Sequence, residues 1–255
     1  MFAYFLCMNL VLLTRLVYLR KDEALGRGAN VGLLALQLVL ITISFSFTAA
    51  YWLVALLLVV VLGLNLGLER RLKAGWRVIT LLLLLGGVDF IEASTTGLQL
   101  RPAIGAVFNL LVEHSAVFHA FSTVSGPELM QMLFGLLLLT NEINALIRLV
   151  FHAVGIEPLK KSPISDAAAD SAAIDVKEFN AGRVIGFLER WLIYLVVLST
   201  NELTAIGFII AAKGLARMKQ LEEKTFAEYM LIGTFLSVLS AVLVGKWVRI
   251  LFAIE

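Results

Sequence analysis

Residues 51–68 read YWLVALLLVVVLGLNLGL and contain no charged side chain. A helix that crosses a bilayer needs about 20 mainly apolar residues, and this run has nearly that length. The stretch is therefore typical of a membrane-spanning helix. It predicts an all-α fold, built as a polytopic membrane bundle.

The composition of the whole chain agrees with that prediction. Of the 255 residues, 60% are apolar and 16% are charged, and the mean hydropathy is +0.92. Soluble domains carry about 25% charged residues and about 45–50% apolar ones. The excess apolar surface must face a medium other than water, and we expect the lipid bilayer as the main partner.

Further apolar runs lie on both sides of the first. Together they predict about seven to eight transmembrane helices plus one interfacial or re-entrant helix, all within a single membrane domain, 1–255. The predicted segments are 2–19, 31–48, 50–68, 76–93, 128–151, 183–199, 202–218 and 226–247.

The interfacial or re-entrant helix is predicted at 103–123, where Asn109, Glu113, His114 and His119 interrupt an apolar run. Ser125 and Glu128 have the spacing of a capping box and should open the fifth segment. The polar stretch 153–182 is predicted to be a cytoplasmic loop between an N-terminal five-helix part and a C-terminal three-helix part.

The basic residues indicate the orientation of the chain. Short cytoplasmic loops are enriched in Lys and Arg. With the N-terminus outside, four connections fall inside, and they hold 17 of the 21 basic residues. These connections are 15–30, 69–77, 148–183 and 213–225. Arg15 is expected to extend its side chain to the interface along its apolar stem.

Charged residues inside apolar runs are the candidate functional residues, because each costs about 2.5–3.5 kcal/mol at the centre of a spanning helix. Glu142 lies about 20 Å along the fifth segment, given a helical rise of 1.5 Å per residue. Its expected partners are Lys213, Glu189 or Arg190. The predicted intramembrane polar cluster comprises Asn141, Glu142, Asn144, Glu189, Arg190, Lys213 and Arg217.

This cluster allows two interpretations. It is either a binding point or proton relay for an ion or small solute, or a polar network that holds helices together. Glu113, His114 and His119 have poor spacing for a metal, since His114 and His119 are five residues apart and do not share a helical face. We predict no metal, no cofactor, no catalytic residues and no nucleic-acid partner.

Three blocks towards the C-terminus resemble a known family. They read GRVIGFLER, AIGFIIAAK and EYMLIGTFLS. Over about residues 182–245 the chain resembles the C-terminal half of a bacterial inner-membrane protein family classed as a domain of unknown function. The matching positions are Gly182, Arg183, Ile185, Gly186, Leu188, Glu189, Arg190, Ile206, Gly207, Phe208, Ile210, Ala211, Ala212, Lys213, Glu228, Tyr229, Ile232, Gly233, Thr234 and Ser237. The resemblance implies a bacterial inner-membrane location and no established reaction.

Two functions remain open from the sequence. The first is a channel or transporter for a small solute or ion, lined by Asn141, Glu142 and the Glu189, Arg190 and Lys213 group. The second is a non-transporting scaffold or sensor that acts through a second copy of the chain or another membrane protein, in which these residues are structural.

The orientation can be tested with reporter fusions. A cytoplasmically active reporter inserted within 160–175 should be active, because the positive-inside bias places this loop in the cytoplasm. A periplasmically active reporter at the same position should be silent, and the reverse pattern would contradict the orientation.

Overall fold

The computed structural model describes residues 1–20, 26–114, 125–155, 168–200, 204–218, 220–222 and 224–254. They fold almost entirely as helices. The helices are α1 Phe2–Arg15, α2 Val17–Arg20, α3 Arg27–Ser44, α4 Ala49–Ser94, α5 Pro102–His114, α6 Gly126–Leu137, a π-helix Leu138–Glu142, α7 Ile143–Val154, α8 Ala168–Ser199, α9 Thr204–Ala216, a 3-10 turn Gln220–Glu222 and α10 Lys224–Ile254.

The predicted all-α class is confirmed, and the described part of the chain contains no strand beyond one isolated bridge between Phe45 and Leu100. Five of its helical segments are long and apolar enough to cross a membrane. Their outward faces carry large apolar side chains, which lipid accommodates and water does not. These segments are Phe2–Leu19, Arg27–Ser44, Ala49–Gly67, Gly126–Val154 and Ala227–Phe252.

Helix α4 is a hairpin rather than a rod. In a straight helix Leu57 and Gly87 would be about 45 Å apart, from the rise of 1.5 Å per residue. Instead, a Cβ placed on Gly87 would lie 2.7 Å from Leu57 Cδ2. Nearer the reversal, Trp76 Nε1 donates to Asn65 Oδ1 at 2.6 Å. The chain therefore turns back between Asn65 and Trp76, in agreement with the two segments predicted at 50–68 and 76–93.

The described residues form two compact units, Met1–Ala145 and Leu146–Glu255. In the first unit α1 packs mainly on α6 and on α3, and α3 packs on α4. Phe5 and Phe134 meet edge to face, with ring centroids 5.5 Å apart. The N-terminal end of α6 has the predicted capping box, in which Ser125 accepts from the Glu128 amide and Glu128 accepts from the Ser125 amide.

The second unit is centred on the packing of α8 against α10. Gly245 lies directly against Val197, and a Cβ on Gly245 would be only 2.8 Å from Val197 Cγ1. The rings of Phe151 and Tyr229 stack with centroids 4.8 Å apart. The absence of a side chain at Gly245 is thus what allows the two long helices to approach.

One predicted boundary needs correction. The sixth segment was expected to begin at 183, but α8 begins at Ala168, within the stretch expected to be a loop. The cause is the sequence of its first turns, AADSAAIDVKEF, in which alanine and straight-chain residues favour a helix even though the stretch is polar. Of the helix predicted at 103–123, the described part is α5, Pro102–His114, and residues 115–124 lie outside the described part of the chain.

The contact at Gly245 gives a test of the packing. We expect Gly245→Leu to lower the free energy of unfolding relative to Gly186→Leu by about 1–3 kcal/mol, the usual cost of overpacking. Both variants replace a helical glycine with leucine, but Gly186 has open space where its Cβ would be. Thermal unfolding in detergent should show a lower Tm for Gly245→Leu only. Equal Tm values would contradict the close approach of α8 and α10.

Candidate functional site

The most deeply buried charges of the first unit form one ion pair. Arg15, at the end of α1, donates from Nε to Glu142 Oε1 at 2.7 Å and from Nη2 to Glu142 Oε2 at 3.0 Å. The two side chains are only 3% and 2% exposed. Such a two-pronged bond between guanidinium and carboxylate is both strong and directional. The pair is electrically neutral, which makes its burial among apolar helices tolerable.

A π-helical turn presents Glu142 to this partner. Residues Leu138–Glu142 form one wider turn between α6 and α7. Such turns insert an extra residue into a helix and occur often at functional sites. The insertion leaves four consecutive residues buried, Leu139 to Glu142. The wider turn thereby brings Asn141 as well as Glu142 into the interior.

Other groups hold the ion pair in place. Asn141 Nδ2 donates to Glu142 Oε1 at 3.1 Å and to the Arg15 carbonyl at 3.2 Å. Arg15 Nη2 also donates to the Arg77 carbonyl at 3.0 Å, and Nη1 reaches Thr80 Oγ1 at 3.4 Å. Three segments therefore meet at this point: α1, the second arm of α4, which carries both Arg77 and Thr80, and the π-helix.

Polar side chains are concentrated in the interior of this unit. Tyrosine and tryptophan aside, twelve of the fifteen buried polar or charged side chains in the described residues belong to Met1–Ala145. They come from every long helix of the unit, so the polar interior is shared and not a property of one segment. The twelve are Asn9, Thr14, Arg15, Asn30, Gln37, Ser44, Asn65, Thr80, Gln131, Thr140, Asn141 and Glu142.

Gln131 and Asn9 are among the side chains that keep polar atoms without a partner in the described residues. Gln131 is 0% exposed, and neither its Nε2 nor its Oε1 makes a hydrogen bond there. Asn9 is 1% exposed, and its Oδ1 is likewise unbonded, while its Nδ2 donates to the Met130 carbonyl at 2.9 Å. Leaving one buried group unbonded costs about 1–3 kcal/mol. Three such atoms in one region mark a place where the described residues alone do not complete the hydrogen bonding.

The second unit has its own charged pair. Lys213 of α9 donates to Glu189 of α8. The next residue, Arg190, is 3% exposed and reaches Ser237 Oγ of α10 at 3.4 Å. The Arg217 guanidinium lies against Gly182. These contacts link the three helices of the unit.

The partner predicted for Glu142 is corrected by the structure. Lys213, Glu189 and Arg190 were expected, but both oxygens of Glu142 bind Arg15, and Lys213 binds Glu189. Arg15 was expected to reach the interface, yet it is buried. The difference arises because a nearby carboxylate stabilises a guanidinium inside the bundle, where extension to the interface would leave Glu142 unpaired.

The remaining predicted site residues have local roles. Asn144 Nδ2 donates to the Thr140 carbonyl at 3.1 Å, one turn back along its own helix. Sequence reasoning missed Asn9, Thr80 and Gln131. The signal that could have found Asn9 and Gln131 is the one used for Glu142: a polar residue within an apolar helical run.

A metal site was considered at Glu113, His114 and His119. His119 lies outside the described residues, as do the side chains of Glu113 and His114. Within the described part of the chain no group of three His, Cys, Asp or Glu side chains could hold a metal ion.

The chain matches no protein-family model, no curated protein sequence and no solved structure.

The ion pair can be tested by a double-mutant cycle. Glu142→Met leaves the Arg15 guanidinium buried without its counter-charge, and we expect a loss of about 3–5 kcal/mol of stability. Arg15→Met should cost a similar amount. The double variant should be more stable than either single variant, because both charges are then absent. Thermal unfolding in detergent measures all four proteins, and additive losses would contradict a coupled pair.

Proposed function

We propose that this protein is a multi-pass membrane protein that conducts a small solute or ion through the interior of its first unit. The observation that carries the proposal is the concentration of twelve buried polar or charged side chains within Met1–Ala145. Ionisable groups within membrane helices, here Arg15 and Glu142, are costly and often mark ion or substrate pathways. A unit that needed only apolar packing would gain nothing from so many of them.

In this proposal the Arg15–Glu142 pair is the gate that closes the conducting path. Its charges satisfy each other, so an ion cannot pass while the two-pronged bond is intact. The π-helical turn that carries Glu142 supports the role, because such turns occur often at functional sites. Opening then means separating the pair, and the entering ion or polar solute replaces the lost interactions.

A second candidate function is a scaffold or sensor that acts through a second copy of the chain or another membrane protein. The observation that favours it is the saturation of the Glu142 carboxylate, which accepts bonds from Arg15 Nε, Arg15 Nη2 and Asn141 Nδ2. A fully bonded pair of this kind serves well as a fixed tie between helices. Flux measurements separate the two functions.

The proposed location is the bacterial inner membrane, with the N-terminus outside and about seven to eight spans. The five apolar segments are supplemented by the second arm of α4 and by parts of α8 and α9. The basic residues of the connections support the orientation. Arg77, beside the reversal of α4, and Arg15, at the end of α1, both lie over the Tyr18 ring, at 4.3 and 5.7 Å. This proximity supports placing the two ends on one side of the membrane.

Flux through vesicles tests the proposal. The full chain is reconstituted into vesicles that contain a pH-sensitive dye, and swelling in neutral solutes is followed by light scattering. We expect flux above that of protein-free vesicles. Glu142→Gln removes one charge of the Arg15–Glu142 gate. It should change the flux by about tenfold or more, and a tenfold change corresponds to a free-energy difference of about 1.4 kcal/mol.

Two further variants keep this test decisive. Glu228→Gln makes the same change at an exposed carboxylate, which is 63% exposed beside Lys224, and should leave the flux as in the wild type. The double variant Arg15→Gln, Glu142→Gln removes both charges and avoids an unpaired arginine if the single variant does not fold. Wild-type protein without flux, or a double variant with unchanged flux, would favour the scaffold or sensor.

A further inference from the structure

We infer that the carboxamides of Asn9 and Gln131 form a binding site for one small uncharged molecule that both donates and accepts hydrogen bonds. Water and primary amides such as urea have this chemistry. The inference deepens the proposed function and rests on it for one point only, that the bound molecule belongs to the conducted path.

The two carboxamides are neighbours across the contact between α1 and α6. Asn9 Nδ2 lies 2.9 Å from the carbonyl oxygen of Met130, the residue directly before Gln131. Standard backbone dimensions then place Asn9 Nδ2 within about 6 Å of the Gln131 Cα. Both side chains are buried, at 1% and 0% exposure. They are therefore close enough for a single small molecule to touch both.

The unbonded atoms define what the site accepts. Gln131 Nε2 offers two N–H donors, while Gln131 Oε1 and Asn9 Oδ1 offer acceptors. The orientation of the Asn9 amide follows from its bond to the Met130 carbonyl, which accepts only from a donor. If the side-chain amide of Gln131 is flipped so that its O and N atoms change places, the set of free donors and acceptors stays the same. A ligand must therefore present both an acceptor and donors.

The absence of charge in this set selects against ions. An anion would be repelled by the two carboxamide oxygens, and a cation would be repelled by the N–H groups of Gln131. Burial prevents either ion from keeping its hydration shell, which uncharged carboxamides replace poorly. Phe5 and Leu12 flank Asn9 on the buried face of α1, and Phe134 follows Gln131 by one turn on α6. Apolar walls around a few polar groups suit a small neutral molecule.

Solid-state NMR on the full chain tests the site directly. The protein, labelled with ¹⁵N in its glutamine side chains, is placed in vesicles of phosphatidylethanolamine and phosphatidylglycerol. Comparison with Gln131→Leu identifies the Gln131 side-chain signal. We expect a cross-peak from the Gln131 Nε2 protons to water, or to ¹³C-labelled urea when urea is added. The experiment with urea distinguishes the two candidate ligands, water and urea. If urea displaces the water cross-peak, the site binds urea.

Permeation supplies the second readout. Water and urea permeabilities are measured by stopped-flow light scattering for the wild type, Gln131→Leu, Asn9→Leu and the control Gln99→Leu. The control makes the same substitution at an exposed glutamine. We expect both site variants to lower the permeability of the bound species by about tenfold or more, the equivalent of losing one good interaction, and Gln99→Leu to leave it unchanged.

The outcomes separate this inference from the proposed function. A Gln131 cross-peak in a protein without flux supports the site and contradicts the conducting function. Flux without a cross-peak, unchanged in Gln131→Leu, overturns the site and leaves conduction standing. A higher Tm for Gln131→Leu, again without a cross-peak, identifies the glutamine as a dry unbonded group and also overturns the inference.

Discussion

A charge inside a helical bundle in lipid needs an opposite charge within reach, and in the first unit this requirement joins Arg15 to Glu142. The bond is two-pronged, at 2.7 and 3.0 Å, so it defines both the separation and the relative rotation of the helices that carry it. Thr80 and the Arg77 carbonyl add the second arm of α4 to the same point. The packing of α1, α4 and α6 therefore has to be compatible with one ion pair.

This requirement also explains the π-helical turn. A regular α-helix buries one stripe of residues, with a spacing of three or four. The unit instead buries Thr140, Asn141 and Glu142 in succession, which a regular stripe does not provide. A single inserted residue widens the turn and rotates the two halves of the helix relative to each other. The insertion therefore serves the polar interior, since both Asn141 and Glu142 bond to Arg15.

The sequence could predict the helical class and most segments, because apolar runs of about 20 residues have few other uses. It could also predict that Glu142 needs a partner. The sequence could not identify Arg15 as the partner of Glu142. That pairing depends on which helices are neighbours in the bundle, and hydropathy does not show which helices are adjacent. The start of α8 was missed for a related reason: polarity indicated a loop at 168–182, whereas helix formation depends on backbone propensity and tolerates polar side chains.

The two units use polarity differently. In the second unit the described polar contacts, Lys213 with Glu189 and Arg190 with Ser237, join neighbouring helices pairwise, and its long helices approach through Gly245 and apolar packing. In the first unit polar groups come from all the long helices, and at Asn9 and Gln131 some donors and acceptors have no partner among the described residues. Helix association alone requires polar groups to be bonded, since an unbonded one weakens the interface that it is meant to hold. Unused capacity therefore distinguishes a polar interior built to receive a molecule from one built to join helices.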